Sequence, residues 1–182
     1  LAVARNVAGR SSFRNVGRAR RQGLETSLDT MLSDRLQLQL AYTWLDATFR
    51  SAYLVCSGTG CTIPATLVAA GSRIPGVARQ QLFARVQWHD GPWSAAFESE
   101  GTGDVVVNDV ASESAAGYFL FNLEASREWR MSSGTLRAFG RIDNMLDRAY
   151  IGSVIVNEGN GRFYEPGPGR SFLIGAQWSW IS

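Results

Sequence analysis

The sequence predicts an all-β fold in which antiparallel strands follow one another in an up-and-down meander. Three observations support this prediction. Apolar and polar side chains alternate with a period of two in one segment after another, which is the pattern of a strand with one apolar face. Short and long connections between these segments alternate strictly. Nineteen glycines and six tryptophans agree with a chain of strands and turns.

The first predicted hairpin joins residues 24–30 to residues 36–45 through a tight turn at Ser33 and Asp34. Both segments have one apolar face, because every second residue is apolar or is a threonine. The opposite face is mostly polar, with Glu25, Asp29 and Gln37. The large apolar residues of the pair are Leu24, Leu28, Leu36, Leu38, Leu40, Tyr42 and Trp44.

Two further hairpins and a last strand repeat the pattern, which gives about seven strands. The hairpins join 81–88 to 93–98 and 119–126 to 136–143, and the last strand covers 171–180. The short turns lie at 33–34, 89–92 and 132–134, and the long connections near 50–76, 102–116 and 147–168. Outer-membrane barrels are built in this way, with short periplasmic turns and long extracellular loops.

Aromatic residues near the strand ends favour a membrane barrel over a soluble one. Alternation alone fits both, since a soluble barrel turns its apolar face inward and a membrane barrel turns it to lipid. Two aromatic belts are typical of the two interfaces of a bilayer. The alternative is that these side chains cap the ends of a soluble β-core. They are Tyr42, Trp44 and Phe119 near the long connections, and Trp88, Trp93, Trp129, Trp178 and Trp180 near the short turns or the end of the chain.

Strand length and strand number add two expectations. About ten tilted residues cross the hydrocarbon layer, and the predicted strands have about that length. Seven strands do not close a bacterial barrel, because no edge can face lipid unpaired and these barrels use even numbers from eight upward. We therefore expect the chain to be part of a longer barrel or to lack one strand. Residues 1–12 have no spanning pattern and resemble the end of a long loop.

Composition excludes several other classes. The chain has 18 basic and 16 acidic residues, a net charge of +2. This balance disfavours nucleic acid as a partner, and the hydrophobic content disfavours disorder. We expect neither a transmembrane helix nor a signal peptide, because no sufficiently long uncharged apolar stretch occurs.

Several stretches carry a more specific pattern: NVGRARRQGLE at 15–25, YTWLDATF at 42–49, IPGV at 74–77, RIDNMLDRAY at 141–150 and GSVIVNEGNGRFYEPGPGR at 152–170. With them, nearly the whole chain resembles the C-terminal end of the barrel of a TonB-dependent outer-membrane receptor of the ferric-siderophore type. The most specific motif consists of Asp143, Asn144, Leu146, Asp147 and Tyr150.

The resemblance implies a transmembrane barrel of about 22 strands with a plugged lumen, in the outer membrane of a Gram-negative bacterium. Residues 1–182 then form its C-terminal segment, and the plug domain is absent from this chain. The implied function is energy-coupled uptake of a ferric siderophore or similar metal chelate. The implied partners are that chelate, outer-membrane lipid, the receptor's own plug and the TonB complex, which acts through the missing N-terminal region. No cofactor is implied.

Cys56 and Cys61 bracket Ser57-Gly58-Thr59-Gly60 in the longest connection. We expect a disulfide that closes a small surface loop in an oxidising compartment. A metal site is the alternative, but it needs more ligands. The only histidine, His89, belongs to a turn at the opposite end of the strands. For the same reason no Ser-His-Asp or Cys-His arrangement is expected, and the chain is not predicted to be an enzyme.

Charged residues of both signs fall on the predicted polar face, which lines the lumen of a membrane barrel. They could contact the plug or guide a ligand, but a wall of mutually paired charges is the simpler interpretation. Asn144 and Asp147 are expected to form hydrogen bonds at a turn or strand end. The lumen-facing set is Glu25, Asp29, Arg85, Glu98, Glu124, Arg137, Arg141 and Asp143.

The long connections are the expected place for ligand recognition, because binding residues often lie on loops that a rigid scaffold holds. Arginine can bind an anionic chelate through two hydrogen bonds, and tyrosine offers a stacking face. The glycines and prolines nearby are explained as turn formers. The candidate contacts are Asn108, Asp109, Asn157, Asn160, Arg162, Tyr164 and Glu165.

Two functions of other classes remain open at this point. One is a complete outer-membrane structural or adhesion barrel of eight strands, which would fold alone in detergent. The other is a soluble lipocalin-like carrier, which would need no detergent. Glutamate and arginine on the polar strand faces disfavour a lumen for an apolar ligand.

Overall fold

The computed structural model describes residues 2–8, 10–15 and 17–180. Nowhere in these ranges does a helix have the length and apolarity that a membrane crossing needs. The described ranges form fifteen strands, numbered in chain order: β1 (Ala2–Val7), β2 (Arg10–Arg14), β3 (Ala19–Ser33), β4 (Leu36–Phe49), β5 (Tyr53–Val55), β6 (Thr66–Val68), β7 (Gln80–Asp90), β8 (Trp93–Thr102), β9 (Val105–Val106), β10 (Ser114–Ala115), β11 (Tyr118–Met131), β12 (Gly134–Asp143), β13 (Ile151–Val154), β14 (Tyr164–Pro166) and β15 (Ser171–Trp180).

Seven long strands form one antiparallel sheet in the order β3-β4-β7-β8-β11-β12-β15. Each long strand pairs with the long strands before and after it in the chain, which is an up-and-down meander and confirms the predicted fold class. Two-residue turns at 34–35, 91–92 and 132–133 join the strands at one end of the sheet. At the first position of the second turn, Gly91 has a φ of 54°, a conformation that costs glycine little.

The structure adds detail that the alternation does not predict. Strands β3 and β4 extend to residues 19 and 49, beyond the predicted segments, and Ser33 belongs to β3 rather than to the turn. Polar residues such as Arg20, Gln22 and Asp46 interrupt the apolar pattern in these extensions. Each long connection contains a small two-stranded sheet, and β1 pairs with β2 within the predicted loop end. These paired segments have two to six residues, which is too short for an alternation of apolar and polar side chains to be recognised in the sequence.

The cross-strand register separates an apolar face of the sheet from a polar face. On the apolar face, Val86 pairs with Phe97, and Phe97 with Leu123. Large side chains on this face are exposed, to 88% for Ile174 and 68% for Phe172. An exposed apolar surface of this size needs an apolar environment to cover it. Its exposed members are Leu24, Leu28, Trp44, Trp88, Trp93, Phe97, Phe119, Leu123, Phe172, Ile174 and Trp180.

The buried hydrophobic core lies among the long connections and not inside the seven-stranded sheet. Phe49, at the end of β4, packs edge-to-face on Tyr53 with the ring centroids 5.0 Å apart. Ala2 of β1 and Val68 of β6 belong to the same cluster, and both are fully buried. The core therefore holds the connections together over one end of the sheet, while most of both faces of the sheet lies outside this core.

Candidate functional site

Six charged side chains on the polar face of β7, β8, β11 and β12 form a continuous network, here called the ion-pair wall: Arg85, Glu98, Glu124, Arg137, Arg141 and Asp143. Three arginines face three carboxylates, so the formal charges cancel. The arrangement follows from the register, because Arg85 pairs with Glu98 and Glu124 pairs with Arg141 across neighbouring strands. Cross-strand pairs of opposite charge are favourable neighbours in a sheet.

Glu98 and Arg141 are at the centre of the ion-pair wall. Glu98 is 8% exposed and binds two guanidinium groups, Arg85 Nη1 to Oε2 and Arg141 Nη2 to Oε1, each at 2.9 Å. Arg141 also binds Asp143 through Nε at 2.6 Å. Glu124 contacts Arg137 at 3.4 Å and Arg85 at 3.5 Å. These contacts satisfy charges that would be costly to leave buried and unpaired.

Asn122 completes the wall, although no feature of the sequence distinguishes it from other polar residues of the strands. It is 6% exposed, and its Nδ2 donates to Glu98 Oε1 at 3.0 Å. Its Oδ1 accepts the backbone N–H of Asn144 at 2.9 Å. The alternation placed Asn122 on the polar face, but only the three-dimensional register brings it to Glu98.

The two remaining predicted lumen residues share the polar face but lie outside this network. Asp29 of β3 accepts hydrogen bonds from Gln37 at 2.6 Å and Gln39 at 3.0 Å, both on β4. Glu25 is exposed and pairs in register with Thr43. All eight predicted residues therefore lie on one face.

The motif at residues 143–150 forms a turn that ends β12 and anchors the last long connection. Asn144 has a φ of 48° and is 4% exposed. Its Oδ1 accepts the N–H of Arg148 at 2.9 Å, and its Nδ2 donates to the carbonyl of the same residue at 2.9 Å. Asparagine tolerates this left-handed backbone and can bond to nearby backbone groups. Asn144 is therefore a hydrogen-bonding turn residue.

Asp147 and Tyr150 tie the same turn to the end of the connection. Asp147 Oδ1 accepts the N–H of Arg170 at 2.9 Å. The ring of Tyr150 lies 4.5 Å from that of Tyr118, between centroids, and leaves space only for glycine at 167, where a Cβ would lie 2.2 Å from the ring. Leu146 is 66% exposed. The contacts of Asn144, Asp147 and Tyr150 have a structural role in this turn.

The long connections 50–79, 103–117 and 144–170 and the hairpin of β1 and β2 form one assembly, here called the loop cluster. The hairpin binds the disulfide-bonded segment through the N–H of Cys56 to Val3 at 2.9 Å and the N–H of Asn6 to Cys61 at 2.8 Å. Cys56 and Cys61 are disulfide-bonded, with a Cα–Cα distance of 5.5 Å. Within the described ranges, no group of three or more His, Cys, Asp or Glu is arranged to hold a metal ion.

Contacts between the second and third long connections bring predicted ligand residues together. The backbone N–H of Asp109 donates to Asn157 Oδ1 at 2.9 Å, and the N–H of Asn157 donates to the carbonyl of Val107 at 2.9 Å. The hydroxyl of Tyr164 donates to Glu113 at 3.0 Å. Asn108 instead bonds within its own connection, to Ser112. Asn157 and Tyr164 thus act as links between connections.

Asp109 is the most deeply buried acid of the loop cluster, at 2% exposure. It borders a cavity of about 110 Å³ that Val3, Cys56 and Phe163 also line. Its Oδ2 and the hydroxyl of Tyr53 are buried without a hydrogen bond of ordinary geometry. Burial raises the pKa of Asp109. Burial, and then the negative charge of Asp109, raise the pKa of Tyr53.

The remaining predicted contacts lie at the tip of the last connection. Glu158, which the sequence did not indicate, accepts the backbone N–H groups of Asn160 at 2.7 Å and Arg162 at 2.8 Å. These hydrogen bonds, that of Arg162 first, lower the pKa of Glu158. Asn160 also bonds Glu158 through its side chain at 2.9 Å, and Glu165 bonds the hydroxyl of Ser153. Arg162 is exposed, and its guanidinium is not used to hold the turn.

Comparisons with known proteins agree with this architecture. The family described as TonB dependent receptor-like, beta-barrel, matches residues 2–145. The siderophore receptor PiuA from Acinetobacter baumannii has a TM-score of 0.70 and 17% identity, over 96% of this chain and 23% of the receptor. BauA, the ferric preacinetobactin receptor of the same organism, has a TM-score of 0.69 and 15% identity, over 98% of this chain and 25% of the receptor.

The ferric-catecholate import receptor Fiu from E. coli has a TM-score of 0.65 and 19% identity, over 96% of this chain and 22% of the receptor. The chain thus spans about a quarter of the length of the receptors that it matches. At these identities the structural likeness shows the fold, while the family match covers most of the chain. This protein therefore belongs to the TonB-dependent receptor β-barrel family.

Proposed function

We propose that the chain is part of an outer-membrane receptor that takes up a ferric siderophore or a similar metal chelate, with energy supplied through the TonB complex. Residues 1–182 form the C-terminal segment of its barrel, and the plug domain lies elsewhere in the receptor. The observation that carries the proposal is the seven-stranded meander with an exposed apolar face, an ion-paired polar face and interlocked loops at one end.

The two faces support the membrane placement. Large apolar side chains are exposed on one face, where lipid would cover them. The aromatic residues of that face lie near both ends of the strands, at the levels where a bilayer favours them. The short turns then face the periplasm, and the loop cluster faces the exterior.

The ion-pair wall supports a role for the opposite face as the lumen wall beside the plug. Its charges are satisfied by one another, with Glu98 bound by Arg85 and Arg141. Such a wall has zero formal charge, so it offers an anionic chelate no single strong site. We therefore assign to the ion-pair wall the role of a polar surface that does not bind the chelate strongly as it moves through the lumen.

Recognition is assigned to the loop cluster. The assignment is based on Arg162. Its backbone N–H donates to Glu158 and so fixes the turn, while its side chain is exposed. A guanidinium can bind carboxylate or catecholate oxygens through two hydrogen bonds. Asn160, Tyr164 and Glu165 lie in the same connection. Asp109 is not assigned to the chelate, since its carboxylate is buried and its backbone N–H links two connections through Asn157.

The test uses a strain that lacks the full receptor and is complemented with it under iron limitation. We expect growth on one class of ferric chelate among catecholates, hydroxamates and carboxylates. Arg162→Gln keeps the backbone bond to Glu158 and should weaken chelate binding about tenfold, the range of a charge-assisted pair. The matched control is Arg130→Gln, an exposed arginine near a short turn at the other end, which should bind like the wild type.

Two results would contradict the proposal. If the purified receptor binds no metal chelate of any class, the ligand assignment fails. If residues 1–182 alone form a heat-modifiable, protease-resistant barrel in detergent, the chain is a complete small barrel and the segment assignment fails.

A further inference from the structure

Arg127 of β11 lies on the apolar face of the sheet. The register gives this directly, because Arg127 pairs with Trp93 on β8 and with Ala138 on β12. Between Phe119 and Trp129, Arg127 is the one charged residue at the apolar-face positions of β11. Asp90 of β7 lies at the same level, since it pairs with Trp93, but it forms its ion pair with Arg35 at 3.1 Å. A charged group in such a position is costly in a bilayer unless it reaches a partner.

Two tryptophans hold the Arg127 guanidinium. Its Cζ lies 4.6 Å from the ring centroid of Trp93 and 4.9 Å from that of Trp129. Its Nε is buried and has no hydrogen-bond partner, and Arg127 forms no ion pair with any described residue. The nearest carboxylates along β11, Glu124 and Glu128, belong to the polar face. The protein thus orients this cation without neutralising it.

The position of Arg127 along the strand matches the headgroup region. β11 ends at Met131, four residues further on, and Trp93 directly follows the turn at 91–92. The surrounding aromatics on the same face are Trp88, Trp93, Trp129, Trp178 and Trp180. Such a belt marks the boundary between hydrocarbon and headgroups, and arginine extends its charged end toward that boundary.

We propose that Arg127, Trp93 and Trp129 form a binding site for the phosphate group of a glycerophospholipid in the leaflet on the short-turn side. The guanidinium donates hydrogen bonds to the phosphodiester oxygens, and the two indole rings fix its direction and contact the glycerol and upper acyl chains. We choose a phospholipid as the occupant because its anionic phosphate complements the guanidinium charge. A diacylglycerol has the same acyl chains but no phosphate, so it lacks this interaction. The proposal rests on the membrane placement made under Proposed function and not on the identity of the chelate.

The experiment measures lipid binding to the full receptor, purified in mild detergent, by native mass spectrometry. Phosphatidylglycerol is the probe and diacylglycerol is its matched control. We expect the wild type to bind phosphatidylglycerol, and Arg127→Gln to bind it about tenfold more weakly, as the loss of a charge-assisted pair predicts. Arg130→Gln, three residues further on and on the polar face, should bind like the wild type. Diacylglycerol should bind weakly to all three proteins.

Equal binding of phosphatidylglycerol to the wild type and Arg127→Gln would overturn the site, as would equal binding of diacylglycerol and phosphatidylglycerol to the wild type. If Arg127→Gln does not assemble, Arg127→Lys decides, because lysine keeps the charge but loses the paired hydrogen bonds. We expect a roughly threefold loss with that variant, and an unchanged affinity overturns the site. A receptor that binds the phospholipid but transports no chelate would contradict only the proposed function.

Discussion

The ion-pair wall and the loop cluster satisfy their buried polar groups in different ways. In the wall, the carboxylate of Glu98 contacts Arg85, Arg141 and Asn122, each within 3.0 Å. In the loop cluster, Asp109 is more deeply buried, yet its Oδ2 has no hydrogen bond and borders a cavity. A buried network is rigid when every member is satisfied, and it is a place for adjustment when one member is not. The difference indicates a rigid polar face of the sheet next to an adaptable set of loops.

The strongest test of this comparison is the removal of Glu98 from the wall. Glu98→Ala removes the closest partner of Arg85, one of the partners of Arg141 and the acceptor of Asn122, so we expect a loss of about 3 kcal/mol in the free energy of unfolding. Urea unfolding of the full receptor in micelles measures it. Glu25→Ala, an exposed acid on the same face, is the control and should change stability by less than about 0.5 kcal/mol. Equal losses in both variants would show that the wall is not a coupled network.

Removal of the disulfide tests how much the stability of the loop cluster depends on the bond between Cys56 and Cys61. Cys56→Ser with Cys61→Ser opens a loop with a sequence separation of five residues. Chain entropy predicts a loss of about 2 kcal/mol for such a short loop. We expect it to appear locally, as faster hydrogen exchange in β1 and in residues 55–66, whereas exchange in β8 and β11 stays unchanged. Faster exchange throughout the seven-stranded sheet would mean that the loops and the wall are one cooperative unit.

The smallest expected effect concerns the charge of Asp109. Burial raises the pKa of Asp109 in the folded protein, so folding favours the protonated carboxyl. The stability that this preference contributes is fully present below the pKa of the unfolded chain and is lost as the pH rises through the pKa of the folded protein. Asp109→Asn removes that charge, and we expect it to protect residues 105–115 by about 1 kcal/mol more than the wild type at pH 8. Below the unfolded pKa the two proteins should match.

Hydrogen exchange at two pH values measures this difference. Asp34→Asn, in an exposed turn, is the control and should show no such change. A variant that loses protection at pH 8 would show that the charged form of Asp109 is needed to hold the loops.

Periodicity accounts for most of the sheet. The alternation of Leu36, Leu38 and Leu40 with glutamines predicted the apolar face of β4, and the same reasoning placed Arg85, Glu98 and Arg141 together on the opposite face. These predictions succeed because a strand has a fixed period and the turns are only two residues long. Once one pair of residues across a hairpin is fixed, the partners of all the other residues in the two strands follow.

The loop cluster could not be predicted in the same way. Nothing in the sequence near Asp109 indicates that its backbone will meet Asn157, 48 residues away, or that Val3 will bond to Cys56. The sequence does not indicate the role of Glu158 for a related reason, since its partners are backbone N–H groups, which all residues except proline possess. The ligand contacts remain a prediction, and the sequence did not distinguish exposed Arg162 from buried Asp109 among them.

The meander has a consequence for the order of folding. Every pairing in the seven-stranded sheet joins consecutive long strands, so each hairpin can form as soon as its own strands are available. The contacts of Asn6 with Gly58 and of Tyr164 with Glu113 span 52 and 51 residues, and their loop-closure entropy is recovered only after the intervening strands are in place. We therefore expect the seven-stranded sheet to assemble first and the loop cluster, with its long-range contacts, to form last.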